Sequence, residues 1–174
     1  METRGKSVLE TRMRVRAALV VMMAALVLLF GATAQAEPGA ANQALQAAKT
    51  QFQILYPQYQ VGRNYALAGN ANAARPYFQG AFSSTNNLCN QATILQAQNR
   101  DTLNRGLYRN RTYQQLAVNL SDSLRSQCIT VYSNLGALVS NPLLPGPRAM
   151  VDGALPQVSG TLSQLEQAMT LAQR

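Results

Sequence analysis

Four arginines, Arg100, Arg105, Arg109 and Arg111, fall within twelve residues against one acid, Asp101, with Tyr108 and Tyr113 interleaved. Guanidinium groups make forked, charge-assisted hydrogen bonds to carboxylates and phosphates. The cluster, with Tyr108 as its aromatic member, is therefore a candidate contact for an anionic or protein partner. The competing reading is a solvated loop that keeps the chain soluble. The remaining chemistry is sparse. The chain has no histidine, which removes the usual general base, the commonest metal ligand and every Ser–His or Cys–His nucleophile. Beyond residue 36 the acids are Glu37, Asp101, Asp122, Asp152 and Glu166, widely scattered, and Lys49 is the single lysine. A carboxylate pair of the glycosidase kind stays open, because separation along the chain is not separation in the fold. No haem-attachment, phosphate-loop or dinucleotide-binding motif occurs. The expectation is a protein that is not an enzyme and that holds no cofactor and no metal.

Two cysteines, Cys89 and Cys128, complete the reactive inventory. If residues 106–111 form a turn between two helices, each cysteine lies 17 residues from it. In an antiparallel hairpin, equal arms reach equal heights, here about 25 Å from the turn at 1.5 Å per residue. A single disulfide stapling the hairpin is expected. The alternative, a redox-active pair, lacks the C-x-x-C spacing that such pairs use.

The N-terminal segment says where these groups work. Arg12, Arg14 and Arg16 precede an apolar run from Ala17 to Phe30, and Gly31-Ala32-Thr33-Ala34-Gln35-Ala36 ends in a small-x-small site before Glu37 and Pro38. This is the order of a secretory signal peptide cut between Ala36 and Glu37. The apolar run has 14 residues, short of the roughly 20 that span a bilayer. Met13 heads a more typical signal than Met1, so residues 1–12 are a candidate start-site misassignment. Export implies a periplasmic or secreted protein in an oxidising compartment. Residues 37–174 are expected to form a single helical domain with no stable membrane span after cleavage. This segment keeps ten basic residues and five acids, a net charge of +5 rather than the +8 of the whole chain.

Apolar periodicity in that domain is helical nearly everywhere. Leu45, Ala48, Phe52 and Leu55 share one helix face, which Pro57 is expected to end or kink. Residues 60–82, interrupted by Gly62, Gly69 and Pro76, suggest two short helices joined near Gly69-Asn70, packing through Tyr65, Leu67, Tyr77, Phe78 and Phe82. Ser83-Ser84-Thr85-Asn86 offers N-caps for a third stretch marked by Leu88, Ala92, Leu95 and Leu103, with Gly106 as its C′ residue. The clearest pattern is Tyr113, Leu116, Leu120, Leu124, Cys128, Val131, Leu135 and Leu138, a long amphipathic helix. Residues 142–156, with four prolines and two glycines, read as a loop. Its apolar Leu143-Leu144-Pro145-Gly146-Pro147 either caps the bundle or marks a partner surface. Val158, Leu162, Leu165 and Met169 form a last helix. No segment shows convincing period-two alternation.

Val61-Gly62, Tyr65, Gly69, Ala74, Phe78 and Ala81 resemble the spaced apolar, Gly, Tyr, Ala and aromatic positions of a tetratricopeptide repeat. The resemblance implies a helix-turn-helix that packs on neighbouring repeats and binds peptides. It covers 21 residues, places Pro76 inside the second helix and has no second copy in the chain.

The expected fold is all-α, an antiparallel bundle of four or five helices with one disulfide stapling a helical hairpin. The expected function is that of a non-enzymatic exported binding or adaptor protein of the cell envelope. It would present a helical surface with an Arg-rich tip to a protein or anionic envelope component. Nucleic acid is not expected in that compartment. Two alternatives are a self-associating structural or assembly protein, and an inhibitor or chaperone of an exported protein. The oligomeric state stays open.

Overall fold

A computed structural model describes residues 38–174; the expected signal peptide and its Ala36–Glu37 cleavage site lie outside the described residues. Four helices account for nearly all of this segment: α1 (Pro38–Leu67), α2 (Ala71–Arg105), α3 (Arg111–Ser140) and α4 (Pro145–Gln173). No strand occurs among the described residues. Each helix buries a stripe at helical spacing. In α1 it includes Leu45, Ala48, Leu55, Tyr59 and Ala66.

Fewer breaks occur than the prolines and glycines suggest. Pro57, Pro76 and Pro156 all sit inside helices. An interior proline removes one backbone hydrogen bond and costs about 3 kcal/mol or more. All three are exposed, whereas Leu55 and Tyr59, Ala74 and Phe78, and Leu155 and Val158 beside them are buried. Each lost bond therefore falls on the watered side of a helix whose inner stripe continues across it. The expected 142–156 loop shrinks accordingly to residues 141–144. Pro145 and Pro147 occupy the first turn of α4, where a backbone N–H has no helical partner to lose.

The join near Gly69-Asn70 is found where expected, but it links two long helices rather than two short ones. Asn70 caps α2 by accepting from the Ala73 N–H at 3.0 Å. The caps expected at residues 83–86 are not used. Thr85 is buried inside α2 and donates its hydroxyl to the Ala81 carbonyl at 2.8 Å. Gly106 does end α2 in the left-handed conformation (φ 61°) that glycine adopts without strain.

Consecutive helices pack extensively, α1 on α2, α2 on α3 and α3 on α4, while α1 meets α4 over a narrower seam. One apolar core runs through the four, with Leu55, Phe78, Leu95, Leu124, Leu135 and Leu165 among its fully enclosed members. The Cys89–Cys128 disulfide joins α2 to α3 with Cα atoms 5.5 Å apart. Polar clasps hold the seam between α1 and α4. Lys49 Nζ lies 2.8 Å from Glu166 Oε1. Farther along, the buried Tyr59 hydroxyl lies 2.8 Å from Asp152 Oδ1 and 3.0 Å from the Arg148 carbonyl. The Arg63 guanidinium closes on the same Asp152 carboxylate at 2.9 Å. Burial first, and then the bond to Asp152, push the Tyr59 phenol well above its ordinary range.

Candidate functional site

The arginine tip is the connection between α2 and α3, and its backbone is anchored rather than loose. Gly106 and Leu107 donate N–H groups to the Leu103 and Thr102 carbonyls. Asn110 accepts from the Tyr113 N–H to cap α3, and its own N–H reaches across to the Ala172 carbonyl of α4 at 3.2 Å. Tyr108 has a different part from the one expected. It is only 9% exposed, with its phenol pushed up by burial. Its own ring is therefore enclosed and is not the expected exposed aromatic contact. Leu107, 41% exposed, takes the outer position instead.

The four arginines do not act as one group. Arg100 is committed to Asp122, with Nη2 at 3.0 and 2.8 Å from the two carboxylate oxygens. Gln96 adds a third bond to Asp122 at 2.7 Å. Burial raises the Asp122 carboxyl, but these hydrogen bonds and the nearby positive charge outweigh it and hold the group below the usual carboxylate range. Arg105 makes a looser pair with Asp101 at 3.5 Å, one turn away on α2. Arg109 and Arg111 are exposed and have no carboxylate partner among the described residues.

That imbalance extends over the described chain. Its four acids, Asp101, Asp122, Asp152 and Glu166, are each paired with a cation. Lys49 holds the Glu166 carboxyl below its ordinary range by hydrogen bonding. No group of three or more histidine, cysteine or acidic residues that would hold a metal occurs among the described residues. No described helix is long and apolar enough to cross a membrane.

Beside the tip, α3 departs from its expected inner face. From Leu124 to Leu138 the predicted stripe is buried as expected. Toward the N-terminus, Gln114, Ala117, Val118 and Ser121 turn inward, while Leu116 is 43% exposed and Tyr113 and Leu120 are half-buried. The inward line lies one residue around the helix from the predicted one. Its small and polar residues match a polar patch on α2, where the buried Asn99 donates to Ser121 Oγ at 2.8 Å. The Gln114 side-chain amide, 1% exposed, has neither of its polar atoms hydrogen-bonded.

The displaced leucines line a cleft of about 140 Å³ between α3 and α4, formed by Tyr113, Leu116, Leu120, Gln164, Gln167, Ala168 and Leu171. A shallower depression adjoins it, sharing Leu116 and bounded by Arg111, Gln115 and Asn119. Hydropathy alone did not point to this groove. Its trace in the sequence is the presence of two adjacent stripes in one helix, one rich in leucine and one small and polar. At the opposite end of the bundle, Leu144 packs against the core and Leu143 stays exposed, so the apolar 143–147 segment serves in part as a cap.

Residues 61–81 span the junction of α1 and α2, helices of 30 and 35 residues, each about as long as a whole tetratricopeptide unit. No family model matches the chain, and no curated protein or solved structure matches it either.

Proposed function

We propose that this chain is an exported, non-enzymatic binding or adaptor protein of the cell envelope, built as an antiparallel four-helix bundle. The antiparallel arrangement is supported by cross-helix pairs whose numbers run in opposite senses. Lys49 meets Glu166 and Tyr59 meets Asp152 between α1 and α4; Cys89 meets Cys128 and Gln96 meets Asp122 between α2 and α3. A disulfide joining two helices supports an oxidising compartment, in keeping with the signal-peptide order of residues 12–36. The observation that carries the binding reading is the charge imbalance: every described acid is paired, and Arg109 and Arg111 project uncompensated from an anchored loop. Such a tip attracts carboxylate- or phosphate-bearing surfaces through charge-assisted bonds.

The test is capture from extracts of the producing cell's own envelope, using the oxidised chain and its Arg109→Gln/Arg111→Gln variant, with washes at low and high salt. The reading expects a component lost at high salt and lost from the variant. Equal capture by both proteins removes it.

Self-association is the second reading. It is supported by large apolar side chains left exposed on α1 and α2, among them Ile54, Val61, Tyr65 and Tyr77, the last two with rings stacked at 5.7 Å. A monomer mass at every concentration in light scattering excludes it.

A further inference from the structure

The groove beside the tip joins an apolar floor to an uncompensated positive rim, and that pairing selects a partner. We propose that it receives an acidic, amphipathic helical segment of a protein, a sharpening that rests on the binding function above. Tyr113, Leu116 and Leu120 stand at three- and four-residue steps along α3 and face Leu171 across the cleft. The seven steps from Tyr113 to Leu120 extend about 10 Å, or two helical turns. A partner helix lays apolar residues at the same steps into such a groove.

The rim sets the sign of the flanking charge. Arg111 borders the depression that shares Leu116 with the groove, and Arg109 stands two residues earlier on the anchored loop. The one acid near the α4 side, Glu166, is engaged by Lys49. Carboxylates on the partner's flank therefore meet guanidinium groups with no competing described acid, while a basic helix meets repulsion. Gln115, Asn119 and Gln167 supply neutral hydrogen-bonding groups beside the floor. A bare phosphate or a lipid headgroup uses only the arginines and leaves the Leu116–Leu120–Leu171 floor open to water. An acidic helix uses both features.

The experiment pans a phage-displayed library of random 16-residue peptides on the oxidised, exported chain, then measures the selected peptides by fluorescence anisotropy. The expected peptides are net negative with apolar residues at three- and four-residue steps. Their affinity falls at least about tenfold on Leu116→Glu, as for an interface anchor. It also falls about tenfold at low salt on Arg109→Gln/Arg111→Gln, with most of the salt dependence lost. Leu116 is already 43% exposed, so circular dichroism is expected to show the Leu116→Glu variant folded. No enrichment, neutral or basic selected peptides, or equal binding to Leu116→Glu overturns the groove proposal. If envelope capture depends on Arg109 and Arg111 but not on Leu116, the groove fails and the broader binding reading stands. If capture depends on none of them, both fail.

Discussion

Breaking the Cys89–Cys128 bridge frees a loop closed over 39 residues. In the chain-entropy treatment, a loop of that length restrains the unfolded chain by about 13 cal/mol/K, or about 4 kcal/mol at 25 °C. The folded side of the balance changes little, because Cys128 is fully buried and Cys89 half-buried in a helix pair that packs along its whole length. For the 137 residues from 38 to 174, an unfolding entropy of about 2.1 cal/mol/K per residue converts 4 kcal/mol into a fall in Tm of about 13 °C. The assay is urea and thermal unfolding of the oxidised chain against chain that has been unfolded, reduced and refolded with reductant present. Reduction leaves the side chains otherwise intact, so the comparison avoids the cavity that Cys→Ala creates. The expected outcome is a lower urea midpoint and the same fold by circular dichroism. A loss below about 1 kcal/mol refutes the reasoning, because the unfolded chain would then already hold α2 and α3 together without the bridge.

Four further outcomes follow from the packing and the ion pairs. Gln114→Leu replaces a buried amide with no hydrogen bonds by a side chain of similar volume, and is expected to raise stability by about 1–2 kcal/mol in urea melts; destabilisation would mean that the amide has polar company in solution. Gly62→Ala puts a Cβ 2.9 Å from the Phe78 ring and is expected to cost about 1–3 kcal/mol. Gly153→Ala, with nothing within 4 Å and a helical position in α4, is expected to gain about 0.5–1 kcal/mol, so opposite shifts in Tm check both. Acid weakens the clasps. The Glu166 carboxyl is held below its ordinary range by Lys49, and Asp122 is held below its own by Gln96 and Arg100 against burial. Their contribution is complete above the ordinary carboxylate pKa of about 4 and is lost as pH falls through the lower folded values. Both groups are partly exposed, so together they supply under about 1 kcal/mol, read as a drop in urea midpoint between pH 6 and pH 3 that Asp122→Asn makes shallower.

The helical class, the disulfide pairing and the C-terminal half of α3 were legible in the sequence, because each rests on a local rule. Leu124, Cys128, Val131, Leu135 and Leu138 keep one spacing, and all are buried. The two cysteines stand equally far from the turn that Gly106 opens. The prolines misled, because a proline's cost depends on which side of the helix it occupies. Pro57, Pro76 and Pro156 all face outward, a fact settled only when neighbouring helices bury the opposite stripe. The groove was missed for a related reason. Leu116 and Leu120 satisfy a core pattern, yet the α2 surface opposite carries Asn99, and Asn99 pairs with Ser121 rather than with a leucine. Of the site residues, Arg109 and Arg111 could be read from composition. The commitment of Arg100 to Asp122, 22 positions away, could not.

The position of the bridge along the chain has a consequence for assembly. A growing polypeptide emerges N-terminus first and its parts fold in that order. Both cysteines precede α4, so oxidation needs nothing beyond residue 128. The covalent hairpin can therefore close before α4 has docked. By contrast, the clasps of Lys49 on Glu166 and of Tyr59 and Arg63 on Asp152 wait for the last helix. In a chain whose α4 had not yet docked, the bond would already hold α2 to α3 while α1 still lacked one of its two neighbours. The buried face of α4 would then dock last, onto a platform already held by the bridge.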